Sequence, residues 1–132
     1  MSSKHCVILL CLVVILSGCS GDKKKVSGKV TFSDGKPVTS GKVNFSTDTY
    51  QANGTIQSDG SYQMGSIGEK DGVPPGEYKV FVTGVGRMEG MALLPLCEEK
   101  YLNAHTSGLT ITIPAPNNKY DLVLEPHPTN YP

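Results

Sequence analysis

From residue 26 onward, apolar and polar residues alternate with a period of two. Val26, Val30 and Phe32 share one face, Ser27, Lys29 and Thr31 the other, and Gly28 fills the remaining inward place. Such alternation predicts a half-buried strand. Ser33-Asp34-Gly35-Lys36-Pro37 then has the chemistry of a turn: the Asp side chain bonds back to its own backbone, Gly accepts a positive φ, and Pro stiffens the exit. Val43 and Phe45 carry a second strand, and residues 52–57, with Ile56 inward, a third. Asp59-Gly60 is a short-range hairpin signal leading into Tyr62 and Met64. Residues 77–83 give the clearest strand, with Tyr78, Val80 and Val82 on one face and Lys79 and Phe81 on the other. LTITI at 109–113 and YDLVLE at 120–125 supply two more.

Seven short strands separated by turns, with no long helical period, predict an all-β fold: a seven-stranded antiparallel Greek-key β-sandwich. Val30, Phe32, Val43, Phe45, Tyr62, Tyr78, Val80, Val82, Ile111, Leu122 and Leu124 are its expected core. The segment from Gly84 to Gly108 is long for a connection in a small domain, and long connections tend to carry function. A short helical turn is expected within it, around Ala92 to Leu102.

The N-terminal pattern is different. Residues 6–16, CVILLCLVVIL, are continuously apolar behind Lys4 and His5. As a helix they would span about 16 Å, roughly half of a ~30 Å hydrocarbon core. That is the length of a signal-peptide apolar region behind a charged start, not of a membrane span. Ser17 and Gly18 are small, and Ser20 to Lys25 is a polar, flexible stretch.

Composition narrows the function classes. The 132-residue chain carries 12 Lys+Arg against 12 Asp+Glu. No cationic surplus is left for pairing with phosphodiesters, so nucleic acid is not an expected partner. With 15 Gly and 9 Pro and no Trp, the composition favours strands and turns.

Leu16-Ser17-Gly18-Cys19 resembles the lipobox of bacterial lipoproteins, in which an aliphatic residue and two small ones precede a cysteine. The resemblance implies a signal peptide over 1–18, cleavage between Gly18 and Cys19, a diacylglyceryl thioether on Cys19 and an acylated new amine. Two or more chains anchor a protein stably where one holds it marginally. Membrane lipid is thus the first expected partner, through acylated Cys19. Residues 19–25 form the tether, and its Lys23, Lys24 and Lys25 either lie near anionic headgroups or merely solvate the linker. Ser20 after the cysteine implies no retention at an inner membrane, hence a cell-envelope, outer-membrane location.

The order of VSGKVTFSDGKPVTSGKVNF, GTIQSDGSYQM and PPGEYKVFVTG resembles the carboxypeptidase regulatory-like, or transthyretin-like, domain. EEKYLNAHTSGLTITI is similar to a stretch of small bacterial lipoproteins built on that domain alone. The resemblance implies a transthyretin-like domain over 26–126 and a short tail over 127–132. That fold includes a purine-pathway hydrolase, whose histidine-bearing strand and Tyr-Arg-Gly-Ser ending are absent here. Glu98 stands where the lipoproteins often have proline.

Little in the sequence carries chemistry. With the signal removed and Cys19 lipidated, Cys97 has no disulfide partner in its own chain and is expected as a small buried hydrophobe beside Leu93, Leu94 and Leu96. His105 has no partner at metal-ligand spacing, so neither a metal nor another cofactor is expected. Asp34, Asp59 and Asp71 each precede glycine, but as turn formers and not at calcium-loop spacing. The expected activity is therefore non-catalytic: binding of an envelope protein or a glycan through the 84–108 segment. Arg87, Met88, Met91, Tyr101 and His105 are the candidate contact residues. The alternatives are a self-associating surface spacer, or an envelope enzyme or metal-dependent module on Cys97 and His105.

Overall fold

A computed structural model describes residues 23–65 and 70–132. The expected signal peptide and most of the tether, with Gly18 and Cys19, lie outside the described residues. Among the described residues nine strands occur in chain order: β1 (Ser27–Phe32), β2 (Lys42–Ser46), β3 (Gln51–Thr55), β4 (Ser61–Gln63), β5 (Gly76–Thr83), β6 (Gly86–Glu89), β7 (Ala92–Pro95), β8 (Leu109–Ile113) and β9 (Leu122–Leu124). No α-helix occurs among the described residues; Glu99–Leu102 and Pro116–Asn118 form 3₁₀ turns.

Three sheets result. One has the order β4-β1-β9, a second β3-β2-β5-β8, and β6 pairs with β7 alone. The first two share one core, giving a sandwich-like all-β arrangement. Alternation is what builds it. β5 buries Tyr78, Val80 and Val82 and turns Glu77, Lys79 and Thr83 outward. On β2, Val43 lies opposite Val82, and Phe45 opposite Val80. From the other sheet Val30, Phe32, Tyr62, Leu122 and Leu124 meet them, all buried. Burial of a side chain of this size contributes about 1.5–3 kcal/mol. Every expected core residue is buried, joined by Val38, Ala52, Val73, Val85, Ile113 and Ala115.

Both Asp-Gly turns form as their chemistry requires. Lys36 N–H donates to Asp34 Oδ1 (3.0 Å), and Ser61 N–H to Asp59 Oδ1 (3.0 Å). Gly35 and Gly60 supply the positive φ, 92° and 88°.

One expectation is corrected. β9 joins β1 in parallel, Val30 opposite Leu122, so the sheets are not wholly antiparallel. The chain reaches β9 after the Pro116–Asn118 turn and so arrives from the end at which β1 begins. The short helical turn expected within 92–102 forms in its last part, as the 3₁₀ turn Glu99–Leu102, behind the strand Ala92–Pro95. Residues on either side of 26–126 also make contacts with it. Lys24 and Val73 exchange backbone hydrogen bonds of 2.7 and 2.8 Å. At the other terminus Tyr131 stacks on Phe32 with ring centroids 4.6 Å apart, and its hydroxyl donates to Asp34 Oδ2 (2.6 Å). The tail packs on the domain.

These contacts define two ends. β5 begins three residues after Val73, which holds Lys24, and runs eight residues to Thr83; β6 starts just beyond. At about 3.3 Å per residue, the β6–β7 hairpin sits about 25 Å from the place where the chain enters the fold. The tether leaves one end and the hairpin projects from the other.

Candidate functional site

The Gly84 to Gly108 segment is more ordered than its length implied. Gly84 turns the chain out of β5 with φ 70°, and Val85 is buried as the hairpin's root. Leu96 N–H closes the base by donating to Val85 O (3.1 Å). In the hairpin, Met88 pairs with Leu93 and Arg87 with Leu94 across the strands. The two-residue connection is Gly90-Met91, with Gly90 at φ 66° in the first turn position, where hairpins demand glycine.

Pairing across the strands puts Met88 beside Leu93 on one face. Both are exposed, at 64% and 48%, and Met91 at the turn is 100% exposed. Arg87 is also exposed, 3.6 Å from Glu89 as an ion pair on the opposite face. The hairpin thus presents a three-residue apolar ridge at its tip with a charged reverse side. Its base is held by the C-terminal tail: Asn130 Nδ2 donates to Pro95 O (3.0 Å), and His127 N–H to Leu96 O (2.8 Å).

The remaining candidates separate from this ridge. Tyr101 does not present a contact: its ring is buried in the core, and its hydroxyl accepts the Glu125 N–H at 3.3 Å. His105 is exposed in the turn after the 3₁₀ segment, its N–H bonded to Asn103 Oδ1 (2.8 Å) and its Nδ1 3.5 Å from Lys79 Nζ. Gly18 and Cys19 lie outside the described residues.

Cys97 is fully buried below the hairpin, bridged to Pro126. Burial pushes its thiol up to about 11, so the thiolate needed for nucleophilic attack is scarce near neutrality. Among the described residues, no group of three or more His, Cys, Asp or Glu side chains is disposed to hold a metal ion.

A second surface escaped the sequence reading. From the tether end along the side of the sandwich to Thr55, which pairs with Lys42 opposite Thr83, β1, β3 and β4 and the turn before β9 enclose an open groove of about 760 Å³. Its walls hold the outward, polar members of the alternation, among them Ser27, Lys29, Thr55, Ser61 and Gln63, with Lys70 and Lys119 added from the loops. The signal for each polar residue was present in the strand period; the pairing that gathers them was not. Two glycines allow that close pairing. A Cβ at Gly28 would fall 2.0 Å from the Tyr120 carbonyl oxygen, and one at Gly54 2.4 Å from that of Gln63. Tyr62 spans the floor and donates its hydroxyl to Tyr120 O.

Compared with known protein families, with curated proteins and with solved structures, the chain matches none.

Proposed function

We propose that this chain is a cell-envelope lipoprotein, held to the membrane by acylated Cys19, whose non-catalytic β-sandwich holds out the β6–β7 hairpin to dock another envelope protein. The observation that carries the reading is the exposed Met88–Met91–Leu93 ridge at the end of the fold remote from residue 24. Exposed large apolar groups clustered on a projecting element are an interaction signature, whereas scattered ones are not. Its position argues against burial in the anchoring bilayer. Lys24 is already tied to Val73, so only residues 20–23 separate the anchor from the fold, a reach of about 18 Å fully extended. The hairpin then stands away from the lipid surface.

Within this reading the two larger sheets are a seven-stranded Greek-key core of the carboxypeptidase regulatory-like, transthyretin-like kind. Support comes from the order of turns and strands: an Asp34-Gly35 turn, an Asp59-Gly60 hairpin, and the Pro75-Gly76 start of β5. Buried Cys97 and solvent-facing His105 offer no activated nucleophile, which disfavours the enzyme alternative.

A photo-crosslinking residue placed at position 91 of the chain in its native membranes tests the proposal. It predicts adducts with one or a few envelope proteins, lost when Met88 and Leu93 are both changed to Ser. Adducts with lipid only contradict the outward orientation. Adducts with further copies of this chain would favour the spacer alternative, and adducts with polysaccharide a glycan partner.

A further inference from the structure

The groove at the tether end has a chemistry of its own. It continues into a second hollow of about 420 Å³, the two sharing Ser27, Gln63, Lys70 and Lys119. Lining both are Lys25, Lys29, Lys70 and Lys119 against Asp121, with Asp59 beside them, bonded to Ser61 of the wall and facing Lys29. Asp121 is partly committed, since its Oδ1 accepts the Lys29 N–H at 2.9 Å. Lys23 stands apart, paired with Asp71 at 2.5 Å. With 12 basic and 12 acidic residues in the whole chain, this excess of cations is a matter of placement and not of composition. The hairpin end, by contrast, carries Glu89, Glu98, Glu99 and Glu125, of which Glu89 pairs with Arg87 and Glu98 with Lys100.

We infer that this groove seats anionic phospholipid headgroups of the bilayer to which the chain is tethered. The inference rests on the proposed acylation of Cys19. Ammonium groups supply the attraction for a phosphodiester, and the Ser27, Thr55 and Gln63 side chains supply neutral donors for phosphate and glycerol oxygens; the Ser61 hydroxyl is already given to Asp59 Oδ1 (2.6 Å). Lysine suits this use because it meets phosphate as a point charge. The occupant follows from the reach of the chain. A tether of about 18 Å at most keeps the groove within roughly two Debye lengths of the headgroup plane at physiological ionic strength. Headgroups are therefore the phosphate present at high local concentration, and seating them turns the hairpin end, with its carboxylates, outward. The anchor fixes distance; the groove fixes orientation.

The test uses the lipidated chain extracted from membranes and reconstituted into two kinds of vesicle, phosphatidylcholine alone and phosphatidylcholine with phosphatidylglycerol. Acylation of individual lysines is followed by mass spectrometry. Each lysine drawn to an anionic surface corresponds to a change of about five-fold, so Lys25, Lys29, Lys70 and Lys119 are expected to label about five-fold or more slowly in the anionic vesicles, while Lys36 and Lys100 do not change. In the Lys70→Glu/Lys119→Glu chain the slowing at Lys25 and Lys29 disappears, as it does for the parent chain at about 1 M salt, where the Debye length is about 3 Å. Equal labelling in both vesicles overturns the inference. So does slowing in neutral vesicles on addition of inorganic phosphate alone, which would mark a small-anion site. A chain that fails to float with neutral vesicles overturns the acylation and the groove's role together, whereas flotation with equal labelling overturns the groove alone.

Discussion

The two ends of this sandwich are built on opposite principles. At the tether end the chain is stitched into the fold by backbone hydrogen bonds between Lys24 and Val73, and the exposed surface is polar and cationic. At the hairpin end two strands leave the sheets altogether, pair only with each other, and carry Met88, Met91 and Leu93 into solvent. Apolar exposure of that kind does nothing for folding, since the hairpin's root is already sealed by Val85, Cys97 and Tyr101. The contrast teaches that the core needs only the two larger sheets. What each end adds is surface: charge where the membrane is proposed to lie, hydrophobicity where a partner is.

The sharpest way to break the tether end is through Gly28. Gly28→Val puts a branched side chain against the Tyr120 carbonyl, forcing β1 away from the segment leading into β9. A loss of about 3 kcal/mol or more is expected, read as a lowered denaturation midpoint with the slope unchanged. A loss within ~0.5 kcal/mol would show that this end has room to relax.

Cys97 reports on the seal beneath the hairpin. Its ordinary value of 9.0 is raised by burial to about 11, so below both values the thiolate is about 100-fold scarcer in the folded chain than in the unfolded one. Alkylation of the folded mature chain at pH 8 is expected to be slower by at least that factor. The sign of the linkage follows: a raised value favours the neutral thiol, so this contribution to stability is complete below about pH 9 and is lost as pH climbs towards 11. Alkylation as fast as in denaturant would show that the seal opens.

The smallest effect is expected at the hairpin tip. Met88→Ser/Leu93→Ser leaves thermal stability within about 0.5 kcal/mol, as for surface positions away from packed features, while removing the partner crosslinked from position 91. A large stability loss would make the ridge part of the core and end the comparison.

How much of this was legible in the sequence depended on which residues carried the signal. Wherever β-branched and aromatic residues alternated with polar ones, as in Tyr78–Thr83 or Leu109–Ile113, the strand and its inward face could be read directly. The hairpin could not: Gly86 to Pro95 shows no sustained alternation of apolar and polar residues. Gly86 and Gly90, and the lack of any helix to pack on, decided for a hairpin. The parallel pairing of β9 was invisible because alternation names a strand's faces and not its neighbour. The same gap hid the groove, whose lysines lie far apart in the chain and meet only through the β1–β4 and β1–β9 pairings. Tyr101 was a candidate through its place in the 84–108 segment, and a place in a long connection does not say where an aromatic ring packs.

The opposition of the two ends is tested most directly by depth. Nitroxides are attached at Gln63→Cys and, separately, at Met91→Cys in the lipidated chain, reconstituted in anionic vesicles, where buried Cys97 reacts slowly. Their distances from the phosphate plane are then measured. The account predicts a label at 63 near the phosphates and a label at 91 about 25 Å farther out. A label at 91 lying at or below the phosphate plane would contradict it.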